Sequence, residues 1–510
     1  MFRRVCLGLA LLGIVPAASC FVENVTGRYC TSDTQCTEAV FTKCDTVHKT
    51  CVPSTFDFDL GTGGMPDLAV VGCASSATCP VEMPVCSAAQ VCSPCGTPGA
   101  SNDCSANHAT TPLCGPNGGC VECLTKDNCD MIHKTCSGAP SYACVACVDN
   151  SDCTSGLCTA GACAEETTLL YVNNATGGGC SDTGAGSISM PFCTVQKGMN
   201  AGAMSGKTVV VFTGTYTENL QAVTTLNANN DYVATVVGIG NPLVKAAAGG
   251  AAVLTVGGTA GKQVTASFDG FTFDGSTIAD GSDGVDCSGN TGNAYGKTLL
   301  TLTRSTVKGA SGIGVSAAAK CSLTFDADVV SGNKAGGIKV DTTDLNFTNL
   351  LVYNNGSSSS AFGGILFNSA GETNKTTMAN LTVVNNTALA TAGTAGIYCL
   401  VAPSSLLNSF ALGNAGPPPP EMSLGCMAAF SAYIGAAGSN NENIPATGCA
   451  LSDLVINPAM NDFHPKKGGA KPCTLVDQGT NATNLNHDLD GKPRPVPASG
   501  TDDIGCYEAQ

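Results

Sequence analysis

An all-β solenoid, preceded by a small disulfide-rich module, is the fold class that this sequence predicts. Three observations carry the prediction. Between residues 300 and 414 a pattern returns about every 22 to 32 positions, visible when LTLTRSTVKG, LTFDADVVSGN, LNFTNLLVYNN, TTMANLTVVNN and LLNSFALGN are aligned. Asn333, Asn355, Asn386 and Asn414 then share one column, Asn349, Asn380 and Asn408 a second, and Leu302, Phe325, Phe347, Met378 and Leu407 an apolar third. A glycine–isoleucine step closes four of the units, at Gly312-Ile313, Gly337-Ile338, Gly364-Ile365 and Gly396-Ile397. Ahead of all this, cysteines crowd residues 30–163 at a density that covalent loops explain and a packed core does not.

The chain opens with Arg3-Arg4, an apolar stretch from Val5 to Val15, and small residues running up to Cys20, the anatomy of a secretory signal over residues 1–19. That stretch is too short to span a bilayer. Small residues before Cys20 resemble a bacterial lipobox, although Ala17 stands where leucine is commonest. The resemblance implies acylation of Cys20, and hence a membrane partner held through a lipid at the outer membrane or cell surface. A net charge of −16 repels nucleic acid and anionic surfaces, so neither is an expected partner.

Residues 20–166 form the cysteine module. Its cysteines parse into five units of four: Cys30, Cys36, Cys44, Cys51; Cys73, Cys79, Cys86, Cys92; Cys95, Cys104, Cys114, Cys120; Cys123, Cys129, Cys136, Cys144; and Cys147, Cys153, Cys158, Cys163. Loops this small bury too little apolar surface to fold unaided. Four cysteines allow three pairings, so connectivity stays open. Cys120-x2-Cys123 and Cys144-x2-Cys147 approach zinc-ribbon spacing, and a CxxC is also a redox couple. The intervening Cys129 and Cys136 and an oxidising compartment favour disulfides. The spacing resembles cysteine-rich stalk repeats of bacterial surface lipoproteins, a likeness that implies no activity. Glycines and acids in segment 52–72 read as a linker.

The solenoid is expected over residues 167–465. Leu169–Val172 is an opening strand, residues 191–203 a short amphipathic helix, and Lys207–Phe212 a strand ending at Gly214-Thr215-Tyr216-Thr217-Glu218. Strand, helix and strand with a Gly-Thr-Tyr-x-Glu turn resemble the cap of right-handed parallel β-helix proteins of the pectate-lyase-like type. Such a helix covers the open sheet edge that a coil otherwise presents. Cys180 and Cys193 are placed to bridge the cap loop. Alternate residues of each turn, among them Phe268, Phe271, Phe273, Leu300, Leu323 and Leu345, supply the interior, and the asparagine columns read as side-chain ladders. Ser357–Ser360 and Pro417–Pro420 read as loops between turns.

Polysaccharide lyases and glycoside hydrolases use the resembling fold, so catalysis needs an acid–base set. The best local cluster is Asp326 and Asp328, expected on one outward strand face, with Arg304 on the preceding turn. No histidine lies between His133 and His464, and the chain has no tryptophan for sugar stacking, only scattered tyrosines such as Tyr295, Tyr353 and Tyr398. The expectation is therefore a non-catalytic coil acting in binding or structure, with surface glycans or proteins as partners.

Residues 466–510 close the chain. Val476-Asp477-Gln478-Gly479, Asp488-Leu489-Asp490-Gly491-Lys492-Pro493-Arg494 and Asp503-Ile504-Gly505-Cys506-Tyr507-Glu508 resemble the end of choice-of-anchor Q domain proteins. That family implies an exported surface protein without established chemistry, and Cys506 replaces its usual alanine. Asp488 and Asp490 begin like a calcium loop, yet the other ligands of such a loop are missing, and a turn built on Asp side chains and Gly491 is the simpler reading. No cofactor is otherwise expected. Arg494 is placed to pair with Asp503 or Glu508 and lock the terminus against the last turn. With Cys20 acylated, one thiol is left over, assigned to Cys506.

Overall fold

The computed structural model describes residues 73–509 apart from 88–89, 97–101, 176–178, 228–230, 250, 259–261, 279, 290–297, 319, 342–343, 369–376, 392, 401–405, 424, 437–439, 446–447 and 470, with four short strands before residue 73. Cys20, the side chains of Cys30, Cys36, Cys44 and Cys51, most of the 52–72 linker and Tyr295 lie outside the described residues. The chain forms two compact units, residues 1–120 and 121–510.

In each described unit of four cysteines the first bonds the third and the second bonds the fourth. Residues 1–120 hold Cys73–Cys86, Cys79–Cys92, Cys95–Cys114 and Cys104–Cys120. Residues 121–510 hold Cys123–Cys136, Cys129–Cys144, Cys147–Cys158 and Cys153–Cys163. The sulfurs themselves are the core of these loops. The last two units share a compact body with the coil because Leu157 packs against Leu169, Tyr171 and Val210, and the Tyr171 hydroxyl donates to the Ser155 carbonyl at 3.0 Å.

The coil is a parallel β-helix. Each complete turn carries three strands, for example Thr298–Thr303, Thr306–Lys308 and Ile313–Ala318, followed by Cys321–Asp326, Val329–Ser331 and Gly336–Val340. First and second strands build an 18-stranded sheet and third strands a 7-stranded one. Neighbouring turns pair in parallel, residue over residue. Inward positions pile up as Val236, Phe268, Leu302, Phe325, Phe347, Met378 and Leu406. Leu406 fills the last place, one residue before the sequence alignment's Leu407. Phe325 and Phe347 stack with centroids 5.0 Å apart.

A helix, Val195–Ser205, caps the coil's beginning. The Thr194 side chain accepts from the Lys197 amide, and the Glu218 carboxylate accepts from the Val195 and Gln196 amides at 2.8 and 2.9 Å. Glutamate at the end of the Gly-Thr-Tyr-x-Glu turn thus supplies the negative charge that a helix N-terminus favours. Cys180–Cys193 closes the cap loop. Among the described residues no helix is long and apolar enough to cross a membrane.

Two corners of each turn demand a left-handed backbone. Arg304, Ala327, Asn349, Asn380, Asn408 and Phe430 occupy the first, all with φ between 48° and 61°. Gly309, Gly332, Asn354, Asn385 and Gly413 occupy the second, each just before the ladder position. Asparagine tolerates this region better than other residues with a Cβ, which accounts for much of the asparagine periodicity. A glycine column adjoins the ladder at Gly314, Gly337, Gly364 and Gly396. A Cβ on Gly337 would stand 2.5 Å from the Gly364 carbonyl and 3.2 Å from the Asn355 amide nitrogen. The first aligned step is therefore Gly314-Val315 rather than Gly312-Ile313, since Val315 pairs with Ile338 while Ile313 pairs with Gly336.

The last coil strand is Glu442–Ile444, short of the 465 boundary that the sequence predicts. From residue 449 onward the chain folds back as a strap. Leu454, Val455, Phe463, Leu475, Ile504 and Tyr507 pack on the outward faces of Leu351, Val384, Phe410 and Leu412. The closing segment is therefore locked against the coil's flank, and Ala432 and Ile444 of the last turns belong to the same cluster. The strand Leu345–Tyr353 is consequently covered on both faces.

Candidate functional site

The three side chains favoured for catalysis do not form one set. Asp326 ends its strand, Ala327 turns left-handed at φ 59°, and the next side chain points inward instead of sharing the outward face. Asp328 is thus buried, 1% exposed, its carboxylate accepting from the Ser305 and Asp326 amides at 2.7 and 3.0 Å. Burial pushes its carboxyl well above the ordinary range. Arg304 points outward and pairs with Asp269 one turn earlier. Burial raises the Asp269 carboxyl, and the Arg304 charge only partly offsets that.

Asp326 is held by the strap. Its Oδ2 meets His487 Nε2 at 3.0 Å, and its Oδ1 accepts from the Thr348 hydroxyl and the Asn349 amide at 2.7 and 3.2 Å. Burial works to raise this carboxyl, but the bonds from His487, Thr348 and Asn349 outweigh it and hold it below the usual value. The same hydrogen bond raises His487. Sequence proximity gave no hint of a partner 161 residues away.

The strap fastens at further points along the second asparagine column. Asn349 donates to the His487 carbonyl, and Asn408 donates to the Thr480 carbonyl while accepting from the Thr480 amide. The Cys506 amide donates to the Thr382 hydroxyl at 3.0 Å. The Cys506 thiol is free and buried, and burial pushes it up to about 12, which removes it from thiolate chemistry near neutral pH. Arg494 and Glu508, both wholly buried, pair at 3.4 Å, and the guanidinium also donates to the Asp503 and Gly505 carbonyls. Asp488 is a turn residue: its oxygens accept from the Asp490, Lys492 and Glu508 amides. Asp490 instead meets His464 Nε2 at 3.0 Å, on the opposite side of the ring from Asp462.

The first asparagine column forms a buried ladder. Asn333 Nδ2 donates to Asn355 Oδ1 at 2.9 Å, Asn355 to Asn386 at 3.0 Å, and Asn386 to Asn414 at 3.0 Å. Glu421, which sequence reasoning missed, ends the run by accepting from Asn414 at 2.6 Å. Its only sequence signal is an acid following the Pro417–Pro420 loop. Burial raises its carboxyl, the Asn414 bonds notwithstanding.

The groups of three or more His, Cys, Asp or Glu side chains near enough to share an ion, among the described residues, are Cys73/Cys79/Cys86, Cys123/Cys129/Cys144 and Cys147/Cys153/Cys163. Every sulfur in them is already in a disulfide. The ribbon-spaced quartet Cys120, Cys123, Cys144 and Cys147 is spread over four separate bridges. Beyond the module, Cys287–Cys321, Cys399–Cys426 and Cys449–Cys473 are also bonded.

Away from the strap, the coil forms a cleft of about 650 Å³ where second strands turn into third strands. Asp280, Ser311, Lys334, Lys339, Ser357, Ser359 and Ser360 supply its polar groups, and Ile313, Phe362 and Leu366 its apolar ones. The Ser357–Ser360 loop, legible in the sequence as an insertion, forms one wall.

No protein-family model matches the chain, and no curated protein matches it. Among solved structures, the chain is similar to the Dettilon tailspike protein, at 12% identity over 56% of this chain and 67% of that one, with a TM-score of 0.19.

Proposed function

We propose that this chain is an exported surface protein, lipid-anchored at Cys20, whose β-helix serves binding or structure rather than catalysis. One observation supports the non-catalytic reading above others: each of the three candidate charges is buried or already has an intramolecular partner. Asp328 is sealed, Asp326 is engaged by His487, and Arg304 by Asp269. A general base needs hydrogen-bond reach to a substrate proton, and the strap lies where substrate would approach Asp326. Disulfide-dense loops and an acidic, solvated surface suit an exterior setting.

The expected result with uronic-acid polymers is no release of unsaturated sugar or reducing ends above a no-protein control, by wild type or by Asp326→Ala. Steady product formation abolished by Asp326→Ala would overturn the reading. The anchor is checked separately. Fatty-acid label is expected on the wild-type chain in its host and absent from Cys20→Ala, whereas label that persists in the variant removes Cys20 as the acceptor.

A further inference from the structure

We propose that the strap and the coil enclose a binding site for water at the middle of the second asparagine column, with Asn380 as its main ligand. The site holds whether or not the coil binds a surface partner.

The column runs over three successive turns. Thr348 pairs with Ala379 and Leu350 with Leu381, which sets Asn349 over Asn380. Ala379 pairs with Leu407 and Thr382 with Phe410, which sets Asn380 over Asn408. The strap takes the outer two, Asn349 through the His487 carbonyl and Asn408 through both backbone groups of Thr480. Those attachments lie two turns apart, about 10 Å at ~4.8 Å per turn. The chain from Thr480 to His487 can reach ~23 Å when extended. It therefore arches, through the 3-10 turn Asn481–Thr483 and a left-handed Asn484. Asn481, Ala482, Asn484 and Asn486 are exposed along the arch, while Asn380 is wholly buried.

Asp502 braces the arch against the coil. Its amide donates to Asn481 Oδ1 at 2.8 Å, and its Oδ2 accepts from the Thr483 hydroxyl at 3.0 Å and the Asn408 amide at 3.5 Å. Its Oδ1 has no partner, nor has Asn349 Oδ1, and Asn380 lacks one at both Oδ1 and Nδ2. All three side chains are buried, none more than 1% exposed. Among the described residues ten buried side-chain atoms are in that condition, and four of them belong to this one arch. Each polar group left so costs ~1–3 kcal/mol. The left-handed corner alone does not call for that cost, since Ala327 and Phe430 hold the same backbone without a buried amide.

The atoms select the ligand. Three of them accept and one, Asn380 Nδ2, donates. A hard cation takes oxygen ligands throughout, and an anion takes donors. Burial raises the Asp502 carboxyl, and the Thr483 bond and the Arg494 charge oppose the rise, so a cation there would also meet the arginine's field. Water both donates and accepts, and a buried water makes about three hydrogen bonds. In the first column each amide bonds the next directly, so that column needs no such bridge.

A crystal structure of the full chain, at a resolution that shows ordered water, tests the site. Density is expected within ~2.7–3.2 Å of Asn380 Nδ2 and of at least one of the three oxygens. Relaxation dispersion of solvent oxygen-17 gives a second reading in solution. Asn380→Leu should lose the contribution of about one long-lived water, and Asn346→Ala, on the exposed face, should lose none. No density at Asn380, a direct bond from Asn380 to the strap, or a peak ringed by oxygens at the ~2.3–2.6 Å of a bound cation overturns the assignment. An unchanged water contribution in folded Asn380→Leu overturns it too. Should that variant fail to fold, the wild-type density decides alone.

Discussion

Replacing Asn386 with leucine is expected to destabilise the coil by about 4 kcal/mol, because it strands two or three buried polar groups at ~1–3 kcal/mol each. Asn386 sits mid-ladder and is fully buried. Its Oδ1 accepts from both the Asn355 backbone and side-chain nitrogens at 2.9 and 3.0 Å. Its Nδ2 donates to Asn414 Oδ1, to the Val352 carbonyl and to the Val384 carbonyl. Leucine matches the side-chain branching of asparagine with bulkier methyl groups, so no cavity opens and overpacking adds to the lost hydrogen bonding. Asn346, exposed on the adjacent strand, is the control, and Asn346→Ala should move stability by no more than ~0.5 kcal/mol. Guanidinium unfolding midpoints, taken without reductant so the disulfides persist, measure both. A loss under ~1 kcal/mol for Asn386→Leu would mean the amides are not coupled as the ladder requires.

That ladder was legible because stacking is self-selecting. An amide that must bond the same amide one turn above can be replaced only at a cost, so the column survives in the sequence as a period. The second asparagine column was equally visible but has a different cause. Asn349, Asn380 and Asn408 mark a left-handed corner, which Ala327, Arg304 and Phe430 also occupy without any shared chemistry. That corner also explains the misreading of Asp328. Strict alternation assumes extended backbone, and one residue at φ 59° sends the following side chain inward. Glu421 was missed because the end of a ladder carries no period. The strap was missed for a related reason: its bonds from His487 to Asp326 and from Cys506 to Thr382 join segments 161 and 124 residues apart. Apolar residues on both faces of Leu345–Tyr353 were the available clue, since a solvated outer face does not need Leu351 and Tyr353 alternating with the inward Leu350 and Val352.

Changing Arg494 to methionine is expected to loosen the strap by about 3 to 5 kcal/mol at pH 8, the scale for removing one partner of a buried ion pair. Glu508 would be left as an uncompensated buried carboxylate, with Asp503 close by. The pH dependence identifies the cause. Burial raises the Glu508 carboxyl from 4.5 to about 7, with the Asp503 charge adding to the rise and Arg494 opposing it. A carboxyl raised on folding favours its protonated form in the native state. Its contribution is therefore greatest below 4.5 and falls as pH rises to about 7, by roughly 3 kcal/mol in all. His464 and His487 act in the same direction at higher pH. Their carboxylate partners raise both, although burial alone would lower His464, so their stabilisation is full below 6.5 and lost as pH passes their folded values. Wild type should accordingly be more stable at pH 5.5 than at pH 8. Arg494→Met should steepen that decline and extend it above pH 7, because nothing then opposes the rise of Glu508. Glu508→Gln should flatten the decline between pH 5 and 7, and adding it to Arg494→Met should restore much of the stability lost at pH 8 while changing little at pH 5. Equal losses for Arg494→Met at pH 5 and pH 8 would instead assign the arginine's contribution to its carbonyl bonds with Asp503 and Gly505, since those do not titrate.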